Sequence, residues 1–198
     1  ALLAYGRVAS IQNGVRRVLG WLGPEPAAAI AGRRHRAAGF ARGFRYRWTT
    51  RKDLLGLLEA IARMRETDGS LGAGLLRHTV GRGGFDPGLV AWTAELRATA
   101  GGRNPGRSLR FLLPDPAGAG ASKRLHLFLR WMIRPDDGVD LGTWSDLFSP
   151  SVLTVPLDTH WARMGPRLGF TRRRVAGRFM AREITDALRA LDPADPLR

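Results

Sequence analysis

The sequence contains no cysteine, which excludes disulfides, thiolate zinc sites and cysteine-ligated iron–sulfur clusters. Histidine is scarce: the four, at positions 35, 78, 126 and 160, show no paired ligand spacing, so neither a metal nor another cofactor is expected. No apolar run approaches a membrane span and no signal peptide is visible, so no membrane partner is expected. The chain opens on "ALLAYGR" without Met, which reads as the loss of an upstream segment.

Lysine is nearly absent. Of 32 basic residues 30 are Arg, and only Lys52 and Lys123 are Lys. Where Arg fills almost every cationic position, a remaining Lys offers what guanidinium lacks, an amine that can lose its proton and attack carbon. Lys52, in "TTRKDLL", reads as ordinary surface. Acids are also few, 17 in all, which leaves a formal charge of +15. Such an excess points to a polyanionic partner, nucleic acid before membrane, because released counterions drive that binding.

What remains is enough for a core: 198 residues, 44% hydrophobic, fit one domain or two lobes sharing a groove. The pattern is helical throughout. Apolar residues at 8, 11, 15, 18, 19 and 22 follow the 3.6 period and predict a helix from Leu2 to Leu22. "GPEP" stops it, and an alanine-rich turn follows. The basic and aromatic stretch from Arg33 to Trp48 suits either a phosphate backbone or a core. "TTRKDLLGLLEAIARM" predicts an amphipathic helix capped by Thr49 or Thr50. Further short helices are predicted near 70–80 and 87–99. Gly and Pro cluster at 81–88, 101–106 and 114–120 and mark loops. No strand-like alternation persists.

Chemistry concentrates in two places. The first is "RSLRFLLPDPAGAGASKRLHLFLRWMIR", a helix–turn–helix hairpin over 107–133. Its second helix is predicted to start near Ser122, burying Leu125, Phe128, Leu129 and Met132 at i, i+3, i+4 and i+7. Lys123, His126, Arg130 and Arg134 share the opposite face. Gly118 and Gly120 allow backbone N–H groups to approach an anion closely, and the helix N-terminus behind them favours negative charge. A cation in a first helical turn opposes the dipole at a cost of about 0.3–1 kcal/mol. Lys123 therefore breaks a local rule, and partial burial is expected for it; it reads either as a phosphate contact or as a nucleophile. The second place is "VPLDTHWARMGPRLGF", the helix start over 156–169. Pro156 favours an extended approach and Asp158 is a favoured N-cap. Leu157, Trp161, Met164 and Leu168 form its expected apolar stripe.

Together these residues resemble the helix-hairpin-helix DNA glycosylases of the endonuclease III superfamily, in which a Lys early in the second hairpin helix attacks the sugar and an Asp at a later helix start assists. The likeness is strongest to a bacterial family within that superfamily, similar to the archaeal 8-oxoguanine DNA glycosylases. It rests on "LLAYGR", "FRYRW", "SKRLHLFLRWMIR" and "PLDTHWARMGPRLG". The turn "LPDPAGAGAS" is longer than the usual hairpin, and 35 residues separate Lys123 from Asp158, more than in endonuclease III. The resemblance implies an all-α, helix-hairpin-helix glycosylase-like domain over 1–198, with two helical lobes flanking a groove. It implies Lys123 and Asp158 as catalytic residues, and base-excision activity with AP-lyase cleavage on double-stranded DNA carrying a damaged base or abasic site. An oxidised purine is the lesion implied. Gly118, Gly120, Ser122, Arg124, Arg130, His160 and Arg163 would contact DNA; Tyr5, Arg7 and Trp131 would reach a flipped base. A monomer in the cytoplasm, associated with the nucleoid, follows from that reading. A non-catalytic DNA- or RNA-binding helical module is the alternative.

Overall fold

The computed structural model describes all 198 residues and is mostly helical, with one two-stranded sheet. The chain divides into two compact units, Leu2–Leu113 and Pro114–Arg198, the latter joined by Ala1. No helix is long and apolar enough to cross a membrane.

In the first unit, helix α1 spans Val8–Leu22, starting later than the sequence predicts. Gly6 sits at φ +107, a conformation closed to most residues, and breaks the pattern ahead of the helix. The alanine-rich segment is a helix, α2 (Pro26–Ala31), with Pro at its first position, where the missing N–H costs nothing. A 3₁₀ turn follows over Arg34–Arg36. The aromatics of the basic stretch turn inward, Phe40, Phe44 and Tyr46 joining Val18, Leu22, Leu54 and Leu58 in one apolar cluster, while Arg34, Arg36, Arg42, Arg45 and Arg47 stay exposed. Trp48 is the exception, 63% exposed. It lies in the tight turn between strands β1 (Arg45–Tyr46) and β2 (Thr49–Thr50), which pair antiparallel; a sheet this short leaves no alternation to read in sequence.

Helix α3 (Arg51–Asp68) begins with a capping box. The Thr50 hydroxyl accepts from the Asp53 N–H at 3.3 Å while the Asp53 carboxylate accepts from the Thr50 N–H at 2.8 Å, satisfying two orphan donors reciprocally. Ser70 caps α4 (Leu71–Gly81) through the Ala73 N–H, and α5 (Phe85–Gly101) and α6 (Arg107–Leu112) complete the unit. Helix α3 packs closely on α5 because Gly56 has no side chain: a Cβ there would lie 2.2 Å from the Ala100 carbonyl oxygen.

The second unit holds the loop from Pro114, α7 (Lys123–Ile133), a 3₁₀ turn over Pro150–Val152, α8 (Thr159–Arg167) and α9 (Arg178–Leu191). The buried stripe of α7 is Leu125, Leu129 and Ile133; Phe128 and Met132 are only half-buried, a shift of the expected face by about one residue. Phe128 packs edge-on to Trp144 with centroids 5.3 Å apart. Of the stripe expected on α8, Leu157 is buried and Trp161 half-buried, but Met164 and Leu168 are exposed. Pro166, which lacks an N–H, precedes the end of this helix at Arg167.

Candidate functional site

Both helix starts singled out in the sequence lie in the second unit. Asp158 is the N-cap of α8: its Oδ1 accepts from the N–H groups of His160 at 2.9 Å and Trp161 at 2.8 Å. The second oxygen, Oδ2, takes no hydrogen bond in the chain. The segment delivering Asp158 is anchored on both sides. Val155 and Leu157 are buried against Met180, Ala181 and Ile184 of α9, and the Val155 N–H donates to the Thr185 hydroxyl at 2.9 Å. Gly165 lets α8 lie against α9, where a Cβ would meet the Ile184 Cδ1 at 2.6 Å.

Lys123 is the first residue of α7, as expected, but it is exposed rather than partly buried, and its amine has no hydrogen bond or ion pair. The turn into the helix is unusual. Ser122 adopts φ 45 and ψ 35, left-handed for a non-glycine residue, and its hydroxyl does not cap the helix; instead it reaches the Asp115 carbonyl at 3.5 Å. No acid lies in the first turn, so the positive end of the helix is neutralised by no side chain of that turn. Ala121, two residues before Lys123, packs on the same apolar cluster that holds Leu157. Lys123 and Asp158 thus follow, by two residues and by one, positions that pack in the same apolar cluster.

The glycine loop departs from the expected anion cradle. Neither Gly118 nor Gly120 has a positive φ, and the Gly118 N–H is spent on the Asp115 carbonyl at 3.0 Å. Asp115 also takes the Ala117 N–H through its side chain at 3.0 Å. Gly120 fits the expectation better: it is exposed, its N–H is unpaired, and nothing lies within 4 Å of where a Cβ would be. The loop is pinned from α9, since the Arg178 N–H donates to the Ala119 carbonyl at 3.1 Å and its guanidinium to the Ala117 carbonyl.

The remaining candidates fall into three groups. His160 and Arg163 are exposed on α8 with unpaired side chains. Arg124 is half-buried beside Lys123. Arg130 is held by structure: its Nε lies 3.2 Å from Asp140, which also binds Arg134 and is fully buried. Trp131 is half-buried on α7. Tyr5 and Arg7 belong to the first unit. The Tyr5 hydroxyl donates to the Tyr46 carbonyl at 2.9 Å and sits 2.6 Å from the Thr49 hydroxyl, so its polar end serves the fold. Arg7 is exposed just before α1.

Sequence reasoning missed the supporting residues: Arg178, which pins the loop, Gly177, which leaves room for the Ala119 carbonyl, Asp140, and Arg172 and Arg174, exposed with unpaired guanidinium groups. The run "TRRRVAGR" carried the signal for the arginines; the Asp140 partnership is tertiary and left none.

A family model described as "Protein of unknown function (DUF2400)" matches residues 1–198, and the chain belongs to that family. No curated protein and no solved structure matches it.

Proposed function

We propose that this protein is a DNA base-excision glycosylase with AP-lyase activity, of helix-hairpin-helix glycosylase-like architecture with two helical lobes flanking a groove. The reading is supported by two features of the second unit, an unpartnered amine at one helix start and a carboxylate with one unbonded oxygen at another. Lys123 has no partner, Asp158 is fixed through Oδ1 with Oδ2 open, and Ala121 and Leu157 pack on the same cluster.

In this mechanism a damaged nucleotide is flipped out of the duplex. Oδ2 of Asp158 takes a proton from the Lys123 ammonium, and the freed amine attacks C1′. The N-glycosidic bond breaks, and the base leaves with the bonding pair and gains a proton. The carboxylate also steadies positive charge developing on the sugar. Opening of the sugar ring gives a Schiff base between Lys123 and C1′. Loss of a C2′ proton then expels the 3′ phosphate by β-elimination and nicks the strand. The Gly120 N–H, His160 and Arg163 supply phosphate contacts of the kind that position a duplex without reading sequence. An oxidised purine is the proposed lesion.

Borohydride reduction traps the Schiff base as a stable amine. Incubation with a panel of duplexes carrying abasic, oxidised-purine and undamaged positions is expected to give a covalent adduct that peptide mapping assigns to Lys123. An adduct on another residue overturns the assignment of Lys123, and none with any duplex overturns the proposal in favour of a non-catalytic nucleic-acid-binding module.

A further inference from the structure

The first unit contains a cavity of about 440 Å³ lined by His35 and Arg36 of the 3₁₀ turn, Arg51, Lys52 and Glu59 of α3, and Thr99 of α5. Three permanent cations face one carboxylate. That carboxylate is already saturated: Glu59 accepts from Arg33, Arg36 and Arg63 and bonds the His35 ring at 3.0 Å. Hydrogen bonding from Arg36 first, then from His35 and Arg63, holds it far below the usual carboxylate range, so it stays ionised and spent.

The donors around it are not spent. Lys52 has no partner, and the Thr99 hydroxyl has none. Arg51 uses only its Nε, on the Phe40 carbonyl at 2.8 Å, and Arg36 keeps one Nη. His35 is 2% exposed and bonds Glu59 through Nε2, yet its Nδ1 is buried with no partner. A buried polar atom left unpaired is costly. Arg51 and Lys52 also stand in the first turn of an 18-residue helix, against its dipole. Both costs are offset by one kind of ligand.

We infer that this cavity binds a phosphoryl group. A phosphate presents several acceptor oxygens to the lysine, guanidinium and hydroxyl donors, and its oxygen or P–OH satisfies the His35 Nδ1 in either protonation state. The site is independent of the Lys123 chemistry, because every lining residue belongs to Leu2–Leu113. Two sources share this chemistry, free phosphate and a DNA backbone phosphate.

Inorganic phosphate is titrated into the ¹⁵N-labelled protein against sodium chloride at equal ionic strength. Saturable amide shifts are expected at 34–36, 51–52 and 99–100. K52Q, at an exposed and unpaired position, is expected to weaken phosphate binding about tenfold. R103Q, an equal charge change at an exposed position outside the cavity, should leave it within about twofold, as distant surface charges are screened. Absence of saturable shifts, or equal losses in K52Q and R103Q, overturns the site. With the site present, an undamaged 12-base-pair duplex that displaces phosphate identifies the backbone as its source, whereas simultaneous binding identifies a free phosphate.

Discussion

Replacing Asp158 separates its observed capping role from the proton-accepting role proposed for it. Its Oδ1 accepts from two backbone N–H groups at 2.9 and 2.8 Å, while Oδ2 takes no hydrogen bond in the chain. D158A removes both functions. Two orphan donors lose their acceptor at the start of α8, and a lost Asp cap costs about 1–2 kcal/mol, read from urea unfolding. D158N keeps an amide oxygen where Oδ1 stood, and Asn caps nearly as well, so its stability should fall by only about 0.3 kcal/mol. It offers no carboxylate oxygen to take a proton, and nicking of abasic duplex should slow by about 10²–10⁴. The assay is single-turnover nicking on a labelled duplex, with unfolding measured on the same preparations. A D158N protein of near wild-type stability that nicks at the wild-type rate refutes the catalytic role and leaves Asp158 as a cap alone.

Three further outcomes follow from the geometry. Glu59 has its pKa lowered by Arg36, His35 and Arg63, so its contribution to stability is complete above the ordinary carboxylate range and drains as pH falls from about 4.3 through its depressed value. E59Q should destabilise the protein by about 2 kcal/mol at pH 7 and by progressively less under acid, measured by urea unfolding across pH; a gap independent of pH contradicts this. A Cβ on Gly177 would sit 2.6 Å from the Ala119 carbonyl oxygen, so G177A should displace the glycine loop, cost about 1–3 kcal/mol and weaken duplex binding. Unchanged amide shifts at 117–122 would show that the loop does not rest there. Duplex affinity, followed by fluorescence anisotropy, should fall with salt at a log–log slope of about −4 to −5 if roughly five phosphates are neutralised; a slope near zero removes the polyanion reading of the +15 charge.

Local signals carried the parts of this molecule that sequence could reveal. Thr50 and Asp53 announce the start of α3 because a capping box is closed within four residues, and Asp158 announces α8 because its cap bonds reach only two and three residues on. Lys123 at the start of α7 was equally legible. Features decided by distant partners were not. Whether Arg33–Trp48 met solvent or core depended on α1 and α3, which take up Phe40, Phe44 and Tyr46. Arg130 read as a free cation until Asp140, ten residues on, folded beneath it. Gly118 read as an anion contact because its spacing matched one, whereas Asp115 consumes its N–H in a turn. Lys123 lies on the polar face that the α7 pattern assigns to it, and it is exposed rather than partly buried.

The central claim, that Lys123 is a nucleophile and not merely a phosphate contact, is tested most directly by K123R. Arginine keeps the charge and the phosphate attraction but cannot form the Schiff base. The account predicts duplex affinity within about twofold of wild type, because the charge is retained, together with complete loss of the borohydride-trapped adduct and of nicking at abasic sites. A K123R protein that nicks abasic duplex at the wild-type rate contradicts it.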